Sequence, residues 1–209
     1  MHNAIIFDLD MTLVDSLAAC AEGASILAGH YGLPAKSQAE VLKALSLPTK
    51  DFWTSLWGRF DPEWADFFNA VVVPKVFFMT KVYPEAIEIL SAAKRKGYLV
   101  GLATNRSSPW RDLAAYDLAK WFDTAVGADD VPRPKPDPDM ALTVLRQLGV
   151  EPSRSIYVGD SPSDMACANG AGIKALGLLQ GGCQAETLTA AGADLIRPSI
   201  GACRDALNL

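Results

Sequence analysis

Two aspartates one residue apart, Asp8 and Asp10, close a short apolar run in the stretch Phe7-Asp8-Leu9-Asp10-Met11-Thr12-Leu13. Side chains at i and i+2 of a strand point the same way. A strand over residues 4–10 therefore sets both carboxylates on one side of its carboxyl end. At about 5 Å they repel by about 3 kcal/mol if the effective dielectric is about 20, and a cation is the simplest way to offset that cost. A second apolar run, residues 155–160, ends in Asp160 and leads into Ser161-Pro162-Ser163-Asp164. If the two strands are parallel neighbours, Asp8, Asp10, Asp160 and Asp164 converge at one sheet edge, where open α/β folds bind ligands. An all-oxygen set favours a hard divalent ion, and Mg²⁺ over Ca²⁺ where water and a phosphate complete the shell. Taken singly, Asp10 also reads as a turn residue and Asp164 as a member of a helix's first turn.

Two further segments carry groups suited to a phosphoryl ligand. Leu102-Ala103-Thr104-Asn105 ends a third apolar run with a hydroxyl and an amide, and Arg106-Ser107-Ser108 follows. Pro134-Lys135-Pro136-Asp137-Pro138 frames a lysine with prolines, and a stiff loop lowers the entropic cost of holding an ammonium in one place. A carboxylate can attack a phosphoryl group and split hydrolysis into two easier steps. A divalent ion and a lysine would neutralise the oxygens, Thr104 would orient them, and a second carboxylate would carry protons.

The surrounding pattern says what must position these residues. Apolar, strand-like runs at residues 4–10, 98–104, 124–127, 155–160 and 173–178 alternate with helical spacing, the signature of a parallel sheet with helices on its faces. One helix is fully punctuated, with Pro84 at its first turn, Lys94-Arg95-Lys96 at its negative end and Gly97 to stop it. Between residues 16 and 81 the strand signal disappears, and breaks at Gly32-Leu33-Pro34, Leu47-Pro48 and Asp61-Pro62 divide the stretch into helices. Trp53, Trp57, Trp64, Phe67, Phe68, Phe77 and Phe78 lie there and are expected to build a small helical core rather than an aromatic ligand box. The expected layout is a core domain of residues 1–15 and 82–209, with a helical domain of residues 16–81 inserted after the first strand.

Composition removes several function classes. The 209 residues carry a formal charge of -5, which offers no basic footprint for nucleic acid. No apolar run approaches the roughly 18 to 20 residues of a membrane span, and Asp8 and Asp10 interrupt the first one too early for a signal peptide. A cytoplasmic protein without a membrane partner is the expectation. Cys20, Cys167, Cys183 and Cys203 are scattered and read as thiols, not disulfides. Two histidines, His2 and His30, cannot make a His-based zinc site.

With these residues in order, the chain resembles the haloacid dehalogenase superfamily of phosphohydrolases. The four motifs are DLDMT, the strand end at Thr104, Lys135 in KPDPDMAL, and GDSPSD at Asp160 and Asp164. The resemblance implies a Rossmann-like parallel sheet flanked by helices with a helical cap, and a Mg²⁺-dependent phosphatase. It implies Asp8 as nucleophile and Asp10 as acid/base whose backbone carbonyl also ligates Mg²⁺. Thr104 and Lys135, with Asn105 beside them, correspond to phosphoryl binders. Asp8 and Asp160 correspond to metal ligands, and Asp164 to a group acting through water or by orienting its neighbours. The segments VGADDVPRPKPDPDMAL, YPEAIEIL and DMACANGAGIKALGL are similar to the phosphoglycolate phosphatase branch, which points to a small organic phosphate as the partner.

Two positions depart from the family pattern. Met11 stands where glycine is usual. A left-handed backbone there would cost on the order of 1 kcal/mol or more, whereas a negative φ would tolerate Met11, and tolerance is the expectation. Ser46 stands where glycine often precedes Leu-Pro, and Thr49, Lys50 and Arg59 nearby are candidates for contact with the leaving group. Hinges are expected near Asp15-Ser16 and Lys81-Val82. A phosphosugar mutase of the beta-phosphoglucomutase kind shares the same residues, and a catalytically silent binder of phosphometabolites is the alternative from another class. A dehalogenase would not need Asp10, and no cap lysine is singled out for a phosphonatase. The chain is compatible with a monomer or a homodimer.

Overall fold

A computed structural model describes residues 3–209; His2 lies outside the described residues. The first strand, β1 (Ala4–Phe7), is buried along its whole length, as a continuous apolar run in a parallel sheet must be. The chain then forms β2 (Val14–Asp15), α1 (Leu17–Tyr31), α2 (Gln38–Ala44), α3 (Thr49–Trp57), α4 (Pro62–Phe67), α5 (Val73–Val76) and β3 (Lys81–Val82). From there it alternates: α6 (Pro84–Arg95), β4 (Leu99–Ala103), α7 (Pro109–Ala115), β5 (Thr124–Val126), α8 (Asp139–Leu148), β6 (Ser155–Gly159), α9 (Pro162–Gly170), β7 (Lys174–Leu178), α10 (Ala185–Ala190), β8 (Leu195–Arg197) and α11 (Arg204–Leu207).

These elements gather into two compact units, residues 1–13 with 82–209, and residues 14–81.

The larger unit is a six-stranded parallel sheet in the order β5-β4-β1-β6-β7-β8, flanked by helices. This is the α/β architecture expected. β1 lies at its centre, with Phe7 opposite Leu102 of β4 and Val158 of β6. That register decides where the chemistry can be. One step past Phe7 the chain reaches Asp8, level with the ends of β4 and β6, and one step further along those neighbours stand Thr104 and Asp160. β8 is not foreseen in the sequence, since only Leu195 and Ile196 are apolar before Arg197.

The punctuation of α6 follows its sequence: Pro84 occupies the first turn, Lys94 and Arg95 the last, and Gly97 takes φ +78°. α8 lays Met140, Ala141, Val144 and Leu145 into a core shared with Ile6, Val126, Tyr157 and Met165. Each fully buried side chain of this size contributes about 1.5–3 kcal/mol.

In the smaller unit, Trp53 and Trp64 are fully buried and form a core with Leu27, Val41 and Leu56. Trp57 stacks on Trp53 at 5.6 Å, and its indole N–H donates to the Pro34 carbonyl at 2.8 Å. Trp53, Trp57, Trp64 and Phe68 thus pack on one another, whereas Phe78 is 77% exposed. All four cysteines are free thiols. Among the described residues no helix is long and apolar enough to cross a membrane.

Gly101 of β4 tests this packing. A methyl group there would run into the side chain of Val144 on α8. Gly101→Ala is expected to lower stability by about 1–3 kcal/mol, read as an earlier urea midpoint at unchanged slope.

Candidate active site

The carboxyl ends of β1, β4 and β6 bring Asp8, Thr104 and Asp160 together, and all three are buried. Asp164 joins them from the first turn of α9. That helix begins with a capping box: the Ser161 hydroxyl accepts from the Asp164 N–H, while the Asp164 carboxylate accepts from the Ser161 N–H. A side chain at Gly159 would collide with Asp164, so this glycine lets the helix start close to the strand end. Carboxylate oxygens of Asp8, Asp160 and Asp164 lie within 4.8 Å of one another.

Lys135 sits within this group, 3% exposed. Its ammonium donates to Asp8 Oδ1 at 2.6 Å, to Asp164 Oδ1 at 2.7 Å and to the Ala103 carbonyl at 3.0 Å, which uses all three of its protons. Asn105 holds the lysine's main chain from both sides: Oδ1 accepts from the Lys135 N–H at 3.1 Å and Nδ2 donates to the Lys135 carbonyl at 3.2 Å. The Asn105 amide therefore serves the lysine loop. Thr104 Oγ1 accepts from the Arg106 N–H at 3.3 Å.

The electrostatics follow from one imbalance. Three carboxylates face one ammonium, which leaves a formal excess of two negative charges in a buried place. Burial, opposed by Lys135 and reinforced by Asp164 and Asp10, pushes Asp8 up from 3.8 to about 7. Burial and then the charges of Asp164 and Asp8 also push Asp160 well above its ordinary range. Burial works against the charge on Lys135, but Asp164 and Asp8 outweigh it and hold the ammonium protonated. A hard divalent cation on the oxygens of Asp8 and Asp160 would cancel the excess, so the donor set fits Mg²⁺.

Asp10 departs from expectation. The strand rule no longer applies to it, because β1 ends at Phe7 and the chain turns through Met11 at φ +58°. Its carboxylate does not join the other three. Arg106 grips it with two charge-assisted hydrogen bonds, Nη2 to Oδ1 at 2.6 Å and Nε to Oδ2 at 2.8 Å. Arg106 is in turn backed by Asp112 and the Tyr116 hydroxyl, both at 3.3 Å. The positive φ at Met11 also overturns the expected tolerance: the residue occupies the left-handed region that glycine would enter without strain.

Thr12 and Tyr157 were not read as site residues. Thr12 Oγ1 donates to Asp160 Oδ1 at 3.2 Å. The Tyr157 hydroxyl lies 3.1 Å from the Ala103 carbonyl and 3.2 Å from Asp164 Oδ1. Nothing about Tyr157 in an apolar run marks it, whereas Thr12 and Arg106 each stand two residues beyond a named candidate. Ser46, Thr49, Lys50 and Arg59 belong to the smaller unit. Thr49 starts α3, the Lys50 carbonyl accepts from Thr54 Oγ1 at 2.8 Å, and the Arg59 guanidinium lies over the Trp64 ring at 5.2 Å.

A raised carboxylate contributes stability that is fully present below its unfolded value and is lost as pH rises through its folded one. For Asp8 that window runs from 3.8 to about 7, and Asp160 acts in the same sense. In chelator, the urea midpoint is expected to fall between roughly pH 4 and pH 7, and added Mg²⁺ to recover more stability at the higher pH. A flat profile, insensitive to Mg²⁺, would contradict the charge account.

Comparison with known proteins agrees with this geometry. The family model for haloacid dehalogenase-like hydrolases matches residues 5–178. Phosphoglycolate phosphatase of Escherichia coli is 30% identical, over 98% of this chain and 92% of that protein. Pyrophosphatase PpaX of Bacillus velezensis is 30% identical, over 90% of this chain and 88% of that protein. A solved structure assigned as beta-phosphoglucomutase, from Thermotoga maritima, is 27% identical with a TM-score of 0.78, covering 100% of this chain and 99% of that one.

Proposed function

Since the chain belongs to the haloacid dehalogenase-like hydrolase family and is a phosphatase of that family, we propose that it hydrolyses a small organic phosphate monoester through a phosphorylated Asp8. The observation that carries this reading is the buried Lys135 bridging Asp8 and Asp164 beside Asp160. Bound Mg²⁺, held by Asp8, Asp160 and the Asp10 carbonyl, would supply positive charge to the phosphoryl oxygens. Phosphoglycolate is the substrate proposed, on the strength of the Escherichia coli relative and of the segments around Lys135 and Asp164.

The residues would divide the work as follows. A carboxylate oxygen of Asp8 attacks phosphorus, the bond to the ester oxygen breaks, and Asp10 gives its proton to the departing alkoxide. Asp10 then takes a proton from water as that water attacks phosphorus, and the bond to Asp8 breaks. The Asp8 charge is used up in the new bond while the phosphoryl oxygens stay anionic, so the Lys135 ammonium has a negative partner before and after the first step. Thr104 orients the phosphoryl group. Asp164, fully engaged by Lys135, Tyr157 and Ser161, acts by holding the lysine and the helix start in place. Asp10 must leave Arg106 to reach the substrate.

Phosphate release from a panel of phosphoglycolate, sugar phosphates and nucleotides tests the reading. Release is expected to need Mg²⁺, to vanish in EDTA, and to fall by roughly a thousandfold or more in Asp8→Asn. The Thermotoga maritima neighbour supports a second reading, phosphosugar mutase. Conversion of a sugar 1-phosphate to its 6-phosphate without free phosphate would decide for it.

A further inference from the structure

We propose that the turn leaving β7, Leu179–Gly181, is a positioning element of the site, in which Gln180 fixes the backbone beside Asp10 and the bare Gly181 sets the place of the Asp160 carboxylate. Gln180 Nε2 donates to the carbonyls of both Met11 and Thr12 at 3.0 Å. Its Oε1 accepts from the Ile200 N–H at 2.7 Å. Two carbonyls on one side and one N–H on the other fit the amide in a single orientation.

The backbone held in this way is unusual. Met11 is kept at φ +58°, where a side chain other than glycine costs on the order of 1 kcal/mol or more. A residue there does not keep that conformation without support from its surroundings. Gln180 supplies the support on the carbonyl side, and the Leu9 carbonyl accepts from the Thr12 and Leu13 N–H groups at 3.3 and 2.9 Å. The turn so fixed presents Thr12 Oγ1 to Asp160 Oδ1.

Gly181 reaches the same carboxylate from the other side. A side chain built on it would overlap Asp160 Oδ2, Cγ and Cβ. A closed circuit results: Asp160 is held by Thr12, Thr12 by Gln180, and the residue after Gln180 lies against Asp160. Neither residue touches the reacting atoms, so both act through others. Gln180 also ties the catalytic turn to the chain beyond residue 199, since the Ile200 N–H has the glutamine as acceptor.

The test compares wild type with Gln180→Met, which keeps the length but removes all three hydrogen bonds, and with Gly181→Ala. A displacement of about 1 Å in a catalytic group costs up to about a hundredfold in rate, and loss of a group that orients a metal ligand costs about 10–100-fold in metal affinity. With a monoester substrate, Gln180→Met, still folded at a lower urea midpoint, is expected to lower kcat by about tenfold or more with KM within twofold. Gly181→Ala is expected to weaken Mg²⁺ binding by about tenfold or more in calorimetry with the metal alone. The kinetic arm rests on the phosphatase reading, and the calorimetric arm does not. A wild type that hydrolyses nothing, with Mg²⁺ binding still weakened in Gly181→Ala, would sink the phosphatase reading and leave the brace standing. An active wild type whose two folded variants keep kcat and Mg²⁺ affinity within twofold would overturn the brace alone.

Discussion

The Lys135 ammonium, shared between Asp8 and Asp164 at 2.6 and 2.7 Å, is the interaction on which the rest of the site depends. A buried pair of carboxylates bridged by one lysine is costly to assemble, because each charge loses its water. The structure meets that cost with complete hydrogen bonding: every ammonium proton has an acceptor, and Asp164 has partners at both oxygens. What remains uncompensated is Asp160 and part of Asp8. That excess of negative charge is what a divalent cation would complement. The imbalance thus opposes full ionisation of the three carboxylates and suits a cation.

Sheet order makes the imbalance possible. With β1 between β4 and β6, three strand ends deliver a carboxylate, a hydroxyl and a second carboxylate to one edge. Glycines set the closest approaches, Gly159 beneath Asp164 and Gly181 against Asp160. Asn105 then fixes the loop that brings the lysine in.

Much of this was legible in the sequence, and what was not has physical reasons. Asp8 and Asp160 could be read because a continuous apolar run ending in an acid is a strong local signal, and Lys135 because prolines frame it. The direction of Asp10 could not, since it depends on where β1 stops and on a left-handed turn at a methionine, both set by tertiary contacts. Arg106 stood in plain view after Asn105, but its partner lies 96 positions away and no spacing rule links the two. β8 was hidden because only two of its residues, Leu195 and Ile196, are apolar. In the helical unit, the breaks at proline and glycine showed that the stretch is several helices, while the packing of Trp57 on Trp53 required coordinates.

The central claim is that Asp8 carries the phosphoryl group during turnover. Rapid acid quench of the working enzyme with a reactive monoester, followed by mass spectrometry of its peptides, tests it directly. The account predicts a phosphoryl mass increment on the peptide containing Asp8, present with Mg²⁺ and absent in EDTA. An enzyme that releases phosphate while Asp8 remains unmodified at every quench time, or that carries the increment on another residue, would contradict it.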